Sequence, residues 1–304
     1  ARRAAGLVFA GGNNASHPRR VKFWPSLLAV LTIVTAPSLQ AWQETLTPDQ
    51  IGPFSEFAPF VAKYKIGWSE IEAAQARMAI TYNGTQVALD TRGGTEGLAR
   101  SLYQLDATFQ GTVDRSTLHT LRSDQVETYY DRSLTTIVTG SNGALRTFSE
   151  TIPAGKKTPK WKDLKIQPVR DLFAGILFIR SQPLAPGDTV RLLIYPGGSS
   201  FFVEIQSAGP RTIHLEDGPR EALQLDLNIQ RVNHKKDHTL EPHSKFRSGK
   251  IWISNDAERI PLRAEVDIFI GYVFAEIVDY RRTGEVPALP PAKNGVDKSP
   301  VAER

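Results

Sequence analysis

Along the body of the chain the apolar positions recur at every second residue. Leu223, Leu225, Leu227 and Ile229 alternate with Gln224, Asp226, Asn228 and Gln230, and Ile260, Leu262, Ala264, Val266, Ile268 and Ile270 enclose Arg263, Glu265 and Asp267. A period of two sends one set of side chains to an apolar face and the other to water, so these runs predict half-buried β-strands. Asn83-Gly84, Asn142-Gly143 and Gly197-Gly198 separate neighbouring runs. Such dipeptides supply the positive φ values of two-residue hairpins, which makes adjacent strands antiparallel. Gly271, between the run ending at Ile270 and another from Val273 to Tyr280, predicts a turn or a sharp bend.

Two segments depart from this period. Val169, Leu172, Phe173, Ile176, Leu177 and Arg180 follow helical spacing, with Asp171 at the start and Pro183 as a stop. A shorter helix is predicted from Thr95 to Tyr103, with Leu98, Ala99 and Leu102 on one face. The fold class is therefore all-β and mainly antiparallel: a long, strongly curved meander forming an open or partial barrel, with two short helices. Its concave face is apolar and must be covered by the helices or by a ligand.

The ends differ from the body. Arg19, Arg20 and Lys22 precede an apolar stretch from Ser26 to Ala36 and a small residue, Ala41, placed for cleavage. This reads as a secretory signal, because the apolar stretch falls well short of the roughly 20 residues a spanning helix needs. Residues 1–41 are thus an N-terminal extension and signal peptide, 42–53 a flexible leader, 54–282 a single β-rich domain, and 283–304 a disordered Pro-rich tail. Charge follows the same division. The chain carries 37 Lys and Arg against 32 Asp and Glu, a formal +5, and five of the basic residues lie in 1–41, where there is no acid. The 37 less those five equal the 32 acids, so the remainder is neutral and a nucleic-acid partner is not expected. The absence of Cys removes disulfides, thiolate metal sites and cysteine nucleophiles.

Candidate chemistry is sparse. His234, His238 and His243 have metal-ligand character, but Lys235, Lys236 and Lys245 crowd the segment and Pro242 interrupts it, so a solvated loop is expected and no metal. Lys156, Lys157, Lys160, Lys162 and Lys165 surround Trp161, which suits either an exposed loop or peripheral contact with anionic lipid headgroups. Gly93-Gly94-Thr95-Glu96-Gly97 lacks a phosphate-binding Lys and reads as a turn ahead of the first helix. Arg180 ends an apolar helical face and calls for a carboxylate, carbonyls at the helix end, or water. An ion pair is the plainer reading, anion capture the other.

Four stretches together resemble one group of bacterial exported proteins, the domain-of-unknown-function family 3108: Lys63-Tyr64-Lys65-Ile66-Gly67-Trp68, the segment from Asp171 to Arg180, Pro186-Gly187-Asp188, and Ile251 to Asp256 leading to Arg259-Ile260-Pro261. The resemblance spans about Phe54 to Tyr280. It implies a β-rich envelope protein compatible with the curved sheets of periplasmic lipoprotein-carrier-like folds, and it brings no catalytic residue. The insert from His234 to Lys245 departs from the family pattern.

The resulting expectation is an exported, periplasmic cell-envelope protein that is not an enzyme and needs no cofactor. Its curved sheet binds an apolar ligand, such as a lipid or lipoprotein acyl chain, or serves an envelope partner. The residues expected on the apolar concave face are Leu223, Leu225, Leu227, Ile229, Ile260, Leu262, Val266 and Ile268. Two alternatives stand beside it: a scaffold with no ligand site, and a hydrolase acting on cell-wall or lipid substrates. A cleft lined by His119 or His214 with a carboxylate within hydrogen-bond reach would favour the hydrolase.

Overall fold

The computed structural model describes residues 41–153, 158–243, 246, 248–268 and 270–283. Apart from Ala41, the expected signal region lies outside the described residues, as does the tail beyond Thr283. The first half of the body is a run of hairpins: β1 (Phe60–Trp68), β2 (Ile71–Asn83), β3 (Gln86–Thr95), then helix α1 (Gly97–Leu102), β4 (Leu105–Asp114), β5 (Thr120–Tyr129), β6 (Ser133–Ser141), β7 (Ala144–Ile152) and the short β8 (Lys162–Asp163). The second half begins with β9 (Arg170–Asp171), which passes directly into helix α2 (Leu172–Ser181). There follow β10 (Thr189–Tyr195), the long hairpin β11 (Phe201–Leu215) and β12 (Gly218–Asn233), then β13 (Thr239–Pro242), β14 (Gly249–Ser254), β15 (Pro261–Asp267) and β16 (Tyr272–Arg282).

All sixteen strands among the described residues form one sheet. The strand order runs from β8 back through β7 to β1, crosses to β16, and continues through β15, β14, β12, β11 and β10 to β9, with β13 branching from β12. Every described pairing is antiparallel except that of β9 with β10. The first and last strands of the body thus meet in the middle of the sheet, and β8 and β9 are its free ends, so the partial barrel does not close. The predicted turns take the required geometry: Asn142 and Gly143 have φ of 49° and 78°, joining β6 to β7. β15 stops at Asp267, short of the predicted Ile270. The Gly271 turn has already begun there, with the Ile268 N–H donating to the Gly271 carbonyl at 3.1 Å. Gly271 has φ +70°, and a Cβ on it would meet Ser69 Oγ at 2.0 Å, so only glycine fits this bend.

Helix α2 crosses the concave face. Asp171 caps it, Oδ1 accepting from the Ala174 N–H at 2.7 Å, and its C-terminal carbonyls are claimed by Arg259. The Arg259 guanidinium donates to the carbonyls of Arg180 at 3.2 Å, of Gln182, and of Pro183 at 2.6 Å. The helix is buried nearly all round because it has sheet on two sides. Phe173 and Leu177 join Phe57, Phe60, Ile80 and Trp252 in one cluster, while Phe178 and Ile179 join Leu192, Leu223, Leu225 and Ile253 in another. Each such ring contributes about 1.5–3 kcal/mol by leaving water. A third cluster, with Val138 and Leu145 from the first half and Leu193, Tyr195 and Phe202 from the second, stitches together the two ends of the curled sheet.

Two expectations are corrected. The first helix forms over Gly97–Leu102, but its apolar face points outward, with Leu98 and Leu102 78% and 80% exposed, because no element packs over it among the described residues. Residues 42–53, expected as a flexible leader, are fastened to the body. The Trp42 ring meets Phe202 edge-on at 5.4 Å between centroids, and the Thr47 N–H donates to the Arg191 carbonyl at 2.9 Å. Among the described residues no helix is long and apolar enough to cross a membrane.

Candidate functional site

Cross-strand register decides where α2 touches the sheet and where it does not. At the level of Phe60, Ile80 and Leu89 the concave face carries large side chains and is filled. Two levels nearer the β1–β2 turn the row reads Tyr64, Ala76, Gly93, Ala107, and the next row reads Thr95, Ala74, Ile66, Ala275, Ala264. Alanine and glycine in these rows cannot span the gap to a helix held off by the bulkier rows beside them. The space that remains is a cavity of about 640 Å³, lined almost wholly by apolar atoms. That volume is typical of a small-molecule site, roughly 300–1,000 Å³.

The helix contributes Leu172, Phe173, Ile176 and Arg180 to the cavity wall, and Leu172, Ile176 and Arg180, at successive intervals of four, lie on one stripe. Leu172 is half-exposed at one end and Arg180 is 1% exposed at the other. In place of the ion pair expected from sequence, Arg180 Nη2 donates to the backbone carbonyl of Glu258 at 2.6 Å, while Nε and Nη1 have no hydrogen-bond partner. The Glu258 carboxylate is already engaged by the Tyr280 hydroxyl at 2.5 Å and by Arg282. Phe57 and Phe60 lie against the guanidinium, its carbon 4.7 Å and 5.8 Å from their ring centroids. Burial pulls the Arg180 pKa down to about 10, opposed by the neighbouring Tyr64, Tyr82 and Tyr280 phenols, so it stays charged at neutral pH. A buried donor without an acceptor costs about 1–3 kcal/mol, more when charged. The other cation on the wall, Arg263, is matched by Glu265 at 2.7 Å and by Glu276.

The residues singled out by the alternating pattern lie elsewhere. Leu223 and Leu225 are buried against α2, with Leu227 and Ile229 packed beside them. Ile260 and Leu262 belong to the first cluster, and Val266 and Ile268 are half-buried. None of the eight lines the cavity. Gly93 and Gly94, expected in a turn, lie in β3, where the missing side chain of Gly93, beside Ala76 and Ala107, enlarges the space. The only sequence signal for the cavity is a run of small residues in strands, which carries little hydropathy.

Other candidates resolve into local contacts. His119 Nε2 lies 2.7 Å from Asp49 Oδ2, and Asp49 Oδ1 accepts from the buried Arg170. Burial works to raise the Asp49 carboxyl, but Arg170 and His119 outweigh it and hold it below the usual carboxylate range. Neither His119 nor Asp49 lines the cavity, and His214 is exposed on β11. His234 and His238 meet edge to face at 5.2 Å, whereas His243 stacks on Phe246 at 4.4 Å. Among the described residues no three His, Asp or Glu side chains gather with metal-holding geometry. Lys160, Lys162 and Lys165 border a second hollow of about 1020 Å³, more polar than the first, together with His234. Lys156 and Lys157 lie outside the described residues.

Comparison with known proteins gives the following. A beta-barrel-like protein of the domain of unknown function DUF1849 from Brucella abortus superposes with a TM-score of 0.50 at 9% identity, over 76% of this chain and 100% of that one. A putative exported protein with a YmcC-like fold from Bacteroides fragilis NCTC 9343 has a TM-score of 0.29 at 9% identity, over 77% and 100%. No curated protein matches the chain. The family model for proteins of unknown function DUF3108 matches residues 63–278, from within β1 to within β16, so the chain belongs to that family.

Proposed function

We propose that this protein is exported to the periplasm and there binds one apolar chain, of a lipid or of a lipoprotein acyl group, without catalysing a reaction. The observation that carries this reading is the cavity of about 640 Å³ between α2 and the small-residue rows of the sheet. Open apolar space of that size is lost contact for its lining, and a chain of methylenes restores that contact at about 0.8 kcal/mol each. Export rests on the signal-like composition of residues 1–41. The basic face around Lys160, Lys162 and Lys165 is proposed as a peripheral contact for anionic lipid headgroups. A hydrolase is less well supported: His119 pairs with Asp49, whose carboxylate also binds Arg170, and both lie outside the cavity.

Two measurements test the reading. Solvent extraction of the purified chain followed by mass spectrometry is expected to yield a near-stoichiometric lipid. Titration of the delipidated protein with the neutral fluorophore N-phenylnaphthylamine is expected to saturate at one site. A chain that releases no lipid and shows no saturable fluorescence refutes it.

A further inference from the structure

The cavity has a charged end at Arg180. Arg180 is nearly sealed from solvent, yet three of the five N–H groups of its guanidinium, one on Nε and two on Nη1, have no acceptor. The aromatic rings of Phe57 and Phe60 cover its faces but offer no oxygen to its edges. The carboxylates closest in role are spoken for: Glu258 by Tyr280 and Arg282, Glu265 and Glu276 by Arg263. A buried cation on a mostly apolar wall, with donors left without acceptors, calls for an anionic partner. Thr91 Oγ1, on the same wall, is likewise buried without a partner.

We propose that Arg180 is an anion-recognition residue, and that the cavity takes an amphiphile with a single anionic head, inserted head-first. The inference rests on the apolar-chain reading above and adds the head group and the orientation. The head lies at Arg180 and the tail runs along the stripe through Ile176 to the half-exposed Leu172. From residue 172 to residue 180 the helix advances about 12 Å at 1.5 Å per residue, the length available to the tail beside it. A carboxylate and a phosphate monoester share this chemistry, since both present oxygens to guanidinium N–H groups.

The test is competition against bound N-phenylnaphthylamine by three probes of one chain length: dodecanoate, dodecyl phosphate and dodecanol. Wild-type protein is expected to prefer one or both anions over the alcohol by roughly ten- to a hundredfold, the usual worth of a charge-assisted hydrogen bond. A preference for dodecanoate identifies a fatty-acid-like ligand, and a preference for dodecyl phosphate a phosphorylated one. Arg180→Met is expected to bind dodecanol as wild type does while losing the anion preference, and Arg180→Lys to keep part of it. Equal binding of all three probes by the wild type overturns the anion site and leaves the apolar reading standing, as does an Arg180→Met variant with undiminished preference. Failure of every probe to bind overturns both. The wild-type comparison needs no variant, so a folding defect in Arg180→Met leaves the proposal open to refutation.

Discussion

Replacing Ala107 by leucine tests whether the cavity is real space. Ala107 lines it from β4, and its cross-strand neighbour on β3 is Gly93, which presents no side chain. The substitution adds three carbons. At ~0.8 kcal/mol each they contribute ~2.4 kcal/mol of burial, and fixing the leucine rotamer takes back ~0.5–1. The delipidated variant is therefore expected to gain about 1.5 kcal/mol in urea unfolding. For a body of this size that is a rise of ~3–6 °C in Tm. The same side chain occupies the path of the ligand, so the affinity for N-phenylnaphthylamine is expected to fall at least about tenfold. Gain of stability with loss of binding is the signature of filling a vacant site. A loss of 1 kcal/mol or more would mean overpacking, the usual outcome of forcing methylenes into an already full core, and would refute the reasoning.

Two further outcomes are expected. Burial lifts the Asp171 carboxyl from the ordinary 3.8 to about 6, against hydrogen bonds from Ala174, Ser123 and Thr120 that favour the charged form. The folded protein thus holds a proton that the unfolded chain releases, and stability falls as pH rises from about 4 to about 6, by up to ~3 kcal/mol. Asp171→Asn keeps an acceptor for the Ala174 N–H and is expected to flatten that decline in urea melts taken across the range. An unchanged slope would assign it to other groups. Arg259→Met strips the donor from the carbonyls of Arg180, Gln182 and Pro183 and is expected to cost about 2–4 kcal/mol. A variant within 0.5 kcal/mol of wild type would show that the helix end is capped by something else.

The parts of this fold visible in the sequence are those where large side chains alternate or turns demand particular residues. Leu223 to Ile229 and Ile260 to Val266 announce strands, Asn142-Gly143 a hairpin, and Asp171 with Pro183 the limits of α2. The cavity was not visible, and the reason is physical. Large apolar residues fill space, so a search for them finds the packed core, and the eight residues chosen that way do not line the cavity. An opening arises where such residues are missing from adjacent strands at one level. Ala76, Gly93 and Ala107 are individually unremarkable, and only the register of three strands sets them side by side. Arg180 was visible as an oddity at the end of an apolar face, but its shortage of acceptors depends on where Glu258, Tyr280 and Arg282 fall, far along the chain. The direction of the α1 face was invisible for the converse reason: spacing defines a stripe without saying whether anything lies over it.

The pairing of β1 with β16 also sets the order of assembly. The first eight strands can zip together hairpin by hairpin as they emerge, since each needs only its immediate predecessor. One long side of β1 must wait for the last strand of the body, more than two hundred residues later. Until then the nascent half-sheet carries an unpaired margin of nine residues, from Phe60 to Trp68, whose amides and carbonyls are open to any extended chain nearby. The interval before the final strand is available is thus the stage at which this chain is most prone to join the wrong neighbour, and a chaperone that shields that margin has its greatest effect there.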